Sequence, residues 1–310
     1  MIDGKIRIGL LVGGQSKERE GSLKSGEAVR GALIRLGYNN ICVIDPQKPN
    51  FIEQILKCDC IFNALHGQYG EDGKIQGLLE CLGIKYTGAG VLASAVGMNK
   101  LIFKKLLIGE NIPTPAYYET GLNFIPDRIR KYPVIIKPVE EGGSIGIKVV
   151  NNVCELDSAV KEIQQIYTEI FIEEFINGKF LSVGVCGKYH APEVMSIVEV
   201  EYHTDLYDYK TKHNAELFDY IVPASISSEG YSTICLYAEK IYKLLGCHGI
   251  VRIDFLYENK DHIYVLEINT NPGLSIISNL YASARGAGLS YEQLIEKILE
   301  SADNRPSYLP

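Results

Sequence analysis

Up to about residue 100, apolar and polar positions follow two alternating rhythms. The run "KIRIGLLVGG" is continuously apolar and closed by glycines, as a buried strand requires. Then "GSLKSGEAVRGALIRLG" places Ala28, Val29, Ala32, Leu33 and Leu36 on one helical face, with Gly37 as the stop. "NICVIDP" predicts a strand, "FIEQILK" a short helix, "CDCIFNALHG" a strand, "GKIQGLLECLG" a helix and "IKYTG" a short strand. Strands alternating with helices predict a parallel sheet covered on both faces. Ligands of such sheets gather beyond the carboxyl ends of the strands. "GGQSKEREGS" and "HGQYGEDG" lie there.

Beyond that point the texture changes. A helix, "NKLIFKKLLIGENI", leads through "PTPAYYE" to "YPVIIKPVEEGGSIGIKVV", which reads as a β-hairpin around a glycine-rich loop. A helix near 155–167 and the strand "EIFIEEFI" follow, then several strands and a long polar loop near 203–220. A helix near 229–245 and a strand pair near 249–269 precede a last helix, "SYEQLIEKILESA", with Leu294, Ile295, Ile298 and Leu299 as its buried stripe. The fold class this predicts is α/β and α+β: an N-terminal parallel-sheet domain followed by mixed sheets.

Composition narrows the function classes. A chain of 310 residues is long for one core, so two or three domains are expected. The net charge of −7 argues against a general nucleic-acid binder. No apolar run is long enough to span a bilayer, and the apolar N-terminal stretch ends in glycines with no small-residue cleavage site after it. The expected setting is therefore the cytoplasm. The eight cysteines form no C-x-x-C pair and lie mostly in apolar segments, so they read as buried free thiols, with Cys58 and Cys60 on one strand face.

The most informative stretch is "GIVRIDFLYENKDHIYVLEINTNPG", 249–273. Read as a hairpin with a four-residue loop, Asn259 to His262, it sets Asp254 opposite Glu267 and Arg252 opposite Asn269. All four then share one face, and Val251, Ile253, Phe255, Tyr264, Leu266 and Ile268 share the other. A salt-bridged patch is the plainer reading of the polar face, since such faces are normal on antiparallel sheets. The sharper reading is a magnesium site, because Mg²⁺ prefers a few hard oxygen ligands together with substrate phosphates. With that metal, Lys100, Lys137 and the loop "KPVEEGGSIG" would hold nucleotide phosphate, Lys137 being the harder to dismiss because it follows Ile135 and Ile136 on a buried strand. Neither a G-x-x-x-x-G-K-[ST] loop nor a G-x-G-x-x-G after the first strand is present.

These pieces, in this order, resemble the D-alanine–D-alanine ligases of the ATP-grasp superfamily. The motifs that carry the resemblance are "LVGGQSKEREGSLKSG", "ALHGQYGEDGKIQGLLECLGIKYTGAGVLASAVGMNK", "YPVIIKPVEEGGSIG", "DLYDYKTKH" and "RIDF…EINTNPGLSIIS", and it covers essentially the whole chain. It implies an N-terminal α/β substrate-binding domain (1–96), a central ATP-grasp subdomain (97–180) and a C-terminal ATP-grasp domain (181–310). In that family a carboxylate attacks the γ-phosphate of ATP, and an amine displaces phosphate from the resulting acyl phosphate. The resemblance implies two Mg²⁺ ions (or Mn²⁺ as a substitute) on Asp254, Glu267 and Asn269. It implies nucleotide contacts at Lys100, Lys137, Gly142, Gly143, Ser144, Glu173, Glu174, Ile176 and Lys212. Glu18 would grip the first substrate, with His66 and Glu71 in support; Arg252 would stabilise the tetrahedral oxyanion; Gly273 and Ser278 would position the second substrate. A homodimer acting on small amino acids is the implied assembly.

Three positions depart from the family pattern. Gly143 stands where a serine is usual, His213 where a tyrosine on the long active-site loop is usual, and Phe180 where a glutamate usually binds the ribose hydroxyls. The chain is therefore expected to be a working ligase whose substrate is in question. A ligase for a different amino or hydroxy acid, and a nucleotide-binding homologue without turnover, are the competing readings.

Overall fold

In a computed structural model, the structure describes residues 5–120, 129, 131–203, 211, 214 and 216–303. Their strands form three sheets. The first is parallel, in the order β2-β1-β3-β4, from β1 (Ile8–Leu11), β2 (Ile41–Ile44), β3 (Cys60–Asn63) and β4 (Lys85–Tyr86). Its connections are α1 (Arg19–Arg35), α2 (Phe51–Ile55) and α3 (Lys74–Cys81). Both faces are covered, as the alternating pattern predicts. Leu11, Ile44 and Ile61 pack with Ile55 and Leu79 on one side. On the other, Ile8, Leu10 and Phe62 pack with Val29 and Leu33 of α1 and with Leu294, Ile295 and Ile298. Helix α1 approaches β1 so closely that a β-carbon on Gly26 would lie 2.2 Å from Val12 Cγ1. That approach justifies a glycine in mid-helix despite its cost of about 1 kcal/mol against alanine.

Two helices follow, α4 (Val91–Met98) and α5 (Lys100–Gly109). Asn99 ends the first and caps the second, accepting from the Ile102 amide at 3.0 Å. Helix α4 was not legible as a separate element, because "VLASAVGM" is small and apolar all round. The second sheet has the order β5-β8-β6-β7, built from β5 (Tyr117–Glu119), β6 (Val134–Pro138), β7 (Lys148–Val150) and β8 (Ile170–Glu174). The hairpin β6–β7 holds the glycine-rich loop, as predicted, and α6 (Val153–Gln164) covers one face through Leu156, Ala159 and Ile163.

The third sheet, order β11-β10-β9-β12-β13, comprises β9 (Lys179–Lys188), β10 (Ala191–Tyr202), β11 (Phe218–Ile221), β12 (Gly249–Asn259) and β13 (His262–Asn269). Strand β11 occupies the end of the stretch read as a long loop. Helix α7 (Ser228–Leu244) covers one face; α8 (Asn279–Gly286), also unpredicted, packs on β9 and β10; α9 (Tyr291–Glu300) carries the predicted stripe. No helix among the described residues is long and apolar enough to cross a membrane.

The β12–β13 register matches expectation at the polar pairs: Arg252 lies opposite Asn269 and Asp254 opposite Glu267. Between Asp254 and Phe255 it slips by one, so Phe255 faces Val265, and a second shift near the loop restores it. The expected core set is corrected accordingly. Ile263 and Val265, not Tyr264 and Leu266, join Val251, Ile253, Phe255 and Ile268 in the core. A bulge of this kind re-aims one side chain, and here it turns Leu266 toward the cleft beside Glu267. The cysteines are also corrected in part. All are free, but Cys81 and Cys154 are exposed, and Cys58, which precedes β3, packs on the opposite side of the sheet from Cys60.

Candidate active site

The carboxyl ends of β1 and β3, the glycine loop and the polar face of β12–β13 converge on one cleft. Glu18 is the N-cap residue of α1, yet its side chain makes no capping bond. Its carboxylate instead reaches the glycine loop: a β-carbon on Gly142 would lie 2.3 Å from Oε1, and one on Gly67 2.9 Å. The neighbouring Lys17 donates to Glu141 at 2.6 Å and lies 4.2 Å above the Tyr167 ring. Gly143, Ser144 and Gly146 have φ of 61°, 59° and 75°, so the loop turns through the left-handed region. A β-carbon on Gly146 would strike the Tyr167 ring at 2.6 Å.

His66 and Glu71 occupy the turn after β3. Asn63 fixes that turn by donating to Gly70 O at 3.0 Å and accepting from the Leu65 amide. The His66 ring is buried, with Nε2 2.8 Å from Ser25 Oγ and Nδ1 3.4 Å from Glu71 Oε1. Burial opposes its charge, but Glu71 and Glu18 outweigh burial and raise its pKa above the usual 6.5. Ser25 Oγ also accepts from the Leu274 amide, and Asn271 donates to Leu65 O at 2.7 Å. These two bonds tie the segment "TNPGL" to α1 and to the turn after β3.

On the sheet floor, Arg252 donates twice to Asp254, Nε to Oδ1 at 2.9 Å and Nη2 to Oδ2 at 2.8 Å. Ser182, opposite Asp254 on β9, donates to Oδ1 at 2.6 Å and is itself held by Asn279. Asp254 is thus buried beneath Arg252, whereas Glu267 is open to the cleft with Lys100 Nζ 3.8 Å away. Lys100 also donates to the Glu141 carbonyl at 2.5 Å. Asn269 accepts from the Asn271 amide. Ser278 caps α8, accepting from Tyr281 N at 3.2 Å, and lines the cleft with Gly273.

The second half of the cleft lies between the second and third sheets. Lys137, Ser144, Glu173, Glu174 and Ile176 line it, with Phe180, Leu256 and Leu266 below. Lys100, Glu141 and Glu267 line both halves and join them. Glu173 is fully buried and pairs with Lys104 at 2.5 Å and with Lys137. Burial favours its neutral form, but the two ammonium groups prevail and hold its pKa below the usual carboxylate range. Burial lowers the pKa of Lys104, which also donates to Thr114 Oγ1.

The structure thus brings together Glu18, His66, Glu71, Lys100, Lys137, Gly142, Gly143, Ser144, Glu173, Glu174, Ile176, Arg252, Asp254, Glu267, Asn269, Gly273 and Ser278. Lys212 and His213 lie outside the described residues. Sequence reasoning missed Lys104, Ser182, Asn279 and the Lys17–Glu141 pair. A lysine among the buried positions of α5 is the one signal that marked Lys104. The opposed carboxylates and the amide of Asn269 form a hard-oxygen donor set on one face, which fits Mg²⁺. Among the described residues no group of three or more His, Cys, Asp or Glu could hold a metal, so a metal here depends on Asn269 and substrate oxygens.

Comparison with known proteins gives a consistent relationship. The family described as D-ala D-ala ligase C-terminus matches residues 122–300, and its N-terminus counterpart matches 43–89. A D-alanine--D-alanine ligase of Carboxydothermus hydrogenoformans is 41% identical over 306 residues, covering 95% of this chain and 97% of the relative. One from Geotalea uraniireducens is 38% identical, covering 96% and 95%. The crystal structure of a Bacillus anthracis D-alanine--D-alanine ligase complexed with ATP superposes with a TM-score of 0.82 at 31% identity, covering 96% of each chain. The VanG D-Ala:D-Ser ligase of Enterococcus faecalis does so with 0.80 at 28% identity, covering 96% of this chain and 99% of that one.

Proposed function

Because the chain belongs to the D-alanine–D-alanine ligase family, we propose that it joins two D-alanine molecules at the expense of ATP, through an acyl phosphate, in peptidoglycan precursor synthesis. The observation that carries this is the placement of Arg252, Asp254, Glu267 and Asn269 on one sheet face with Glu18 and the glycine loop across the cleft.

Glu18 holds the ammonium group of the first amino acid, and His66 and Glu71 keep that end of the cleft polar. The loop from Gly142 to Ser144 covers the triphosphate with backbone amides, and Lys100, Lys137 and Lys212 neutralise it. Glu173, Glu174 and Ile176 border the base. Asp254, Glu267 and Asn269 would hold Mg²⁺, or Mn²⁺ in its place, and the ion would supply charge neutralisation for phosphoryl transfer. Arg252, fixed in orientation by Asp254, stabilises the oxyanion formed when the second amine attacks. The second amino acid presents its carboxylate to Gly273, Ser278 and the start of α8, where backbone N–H groups favour an anion. The domains divide at 1–96, 97–180 and 181–310, and the working unit is a cytoplasmic homodimer.

A second reading, the same chemistry on a different acceptor, is favoured by Gly143. A glycine at φ 61° leaves the loop without the hydroxyl usual there, and the chain is also similar to a D-Ala:D-Ser ligase. Phosphate release from Mg·ATP with D-alanine alone, with the product weighed by mass spectrometry, tests both. A D-Ala–D-Ala mass supports the first reading. Release only with D-serine, D-lactate or another acid supports the second, and no release across the panel refutes the ligase function.

A further inference from the structure

The floor of the nucleotide half of the cleft has a chemical character that bears on which nucleotide it takes. One same-face step outward along β12 from Asp254, about 7 Å at the usual strand rise, stands Leu256. Its partners across the two ladders are Phe180 on β9 and Tyr264 on β13. The bulge adds Leu266 to the same place, and Tyr202 borders it. Phosphates held at Asp254 and Glu267 and a base bordered by Ile176 leave this patch under the sugar.

Every carboxylate of the described lining is engaged elsewhere. Glu141 pairs with Lys17 at 2.6 Å, and Glu173 with Lys104 at 2.5 Å and with Lys137. Glu174 pairs with Lys131, and Glu267 stands at the phosphate end beside Lys100. From this arrangement, and resting on the nucleotide reading above, we propose that the sugar lies on an apolar floor centred on Phe180. The site is therefore indifferent to the ribose 2′-hydroxyl and accepts 2′-deoxy-ATP as readily as ATP. An apolar surface discriminates weakly against a ligand that merely carries or lacks a hydroxyl, whereas a site built to hydrogen-bond that hydroxyl rejects the analogue strongly.

The experiment is isothermal titration of the full chain with ATP and with 2′-deoxy-ATP in Mg²⁺, paired with initial rates of phosphate release for each in the presence of D-alanine. The expected Kd values differ by less than about threefold, and so do the kcat/KM values. Phe180→Glu, which puts an acceptor at the sugar position, is expected to create a preference for ATP of about tenfold. Phe180→Leu keeps the floor apolar and retains the ratio near one even if the glutamate variant fails to fold. ATP bound at least tenfold more tightly than 2′-deoxy-ATP by the unmodified chain overturns the inference while leaving the nucleotide reading intact. A folded Phe180→Glu with an unchanged ratio overturns the placement of the sugar. Failure of both nucleotides to bind overturns both readings together.

Discussion

Glu18 and Gly142 meet so closely across the cleft that a β-carbon on the glycine would stand 2.3 Å from the glutamate Oε1. The loop that would cover phosphate and the residue that would hold an amino acid are thus in direct steric register. Gly142→Ala is expected to displace the carboxylate and lower kcat/KM by about a hundredfold, the scale of an ångström misplacement. The melting temperature should stay within a few degrees of the parent, because the loop lies outside the apolar cores. Steady-state kinetics beside a thermal melt check this.

The two metal-facing carboxylates differ in burial, and their variants should differ in consequence. Glu267→Gln is expected to reduce Mg²⁺-dependent turnover by about a hundredfold or more with stability retained, since Glu267 is open to the cleft. Asp254→Asn removes the charge under Arg252 and should also lower stability, because a buried pair broken on one side leaves its partner uncompensated. Chemical denaturation alongside magnesium titration distinguishes the two. Unimpaired turnover in Glu267→Gln would refute the metal assignment.

Lys104 reaches no part of the proposed chemistry, yet it shares Glu173 with Lys137 at full burial. Lys104→Met leaves that carboxylate with one cation and is expected to cost about 3–5 kcal/mol of unfolding free energy. Adding Glu173→Gln to it should recover part of the loss. A strictly additive double mutant would show that the two residues are uncoupled.

The raised pKa of His66 gives stability a pH dependence of definite sign. A basic group whose folded pKa exceeds its unfolded value contributes stability that is fully present below the unfolded value, near 6.5, and is lost as pH rises through the folded value. The unfolding free energy of the parent relative to Glu71→Gln should therefore be largest near pH 6 and shrink through the alkaline range. A difference that grows with pH would contradict the His66–Glu71 pairing.

The parallel sheet, the glycine hairpin and the polar pairs of β12–β13 were legible in sequence because each rests on a local periodicity or a short loop. The slip at Leu266 was not, since two compensating shifts leave the loop length and the outer pairs unchanged while exchanging Tyr264 and Leu266 for Ile263 and Val265 in the core. Helix α8 was hidden because "SNLYASARG" lacks an apolar stripe and is recognised by its Ser278 cap and its packing on β10. The segments that hold Glu18, His66 and Glu71 were placed by the sheet pattern at its ligand-binding edge, but their individual roles entered only through family resemblance, for nothing in their spacing brings them to Gly142 or Arg252. Lys104 and Ser182 escaped because their partners, Glu173 and Asp254, are distant in the chain.

Helix α9 lies near the end of the described chain, yet its Leu294, Ile295 and Ile298 complete the apolar layer over Ile8, Leu10 and Phe62 near its beginning. A ribosome making this protein therefore emits a first sheet that cannot finish its core until the residues of α9 have emerged. Folding of the amino-acid end of the cleft waits on the synthesis of α9. A nascent chain arrested before residue 291 should then remain protease-sensitive in its first sheet even while its second sheet, whose core is drawn from residues 129–172, already resists digestion.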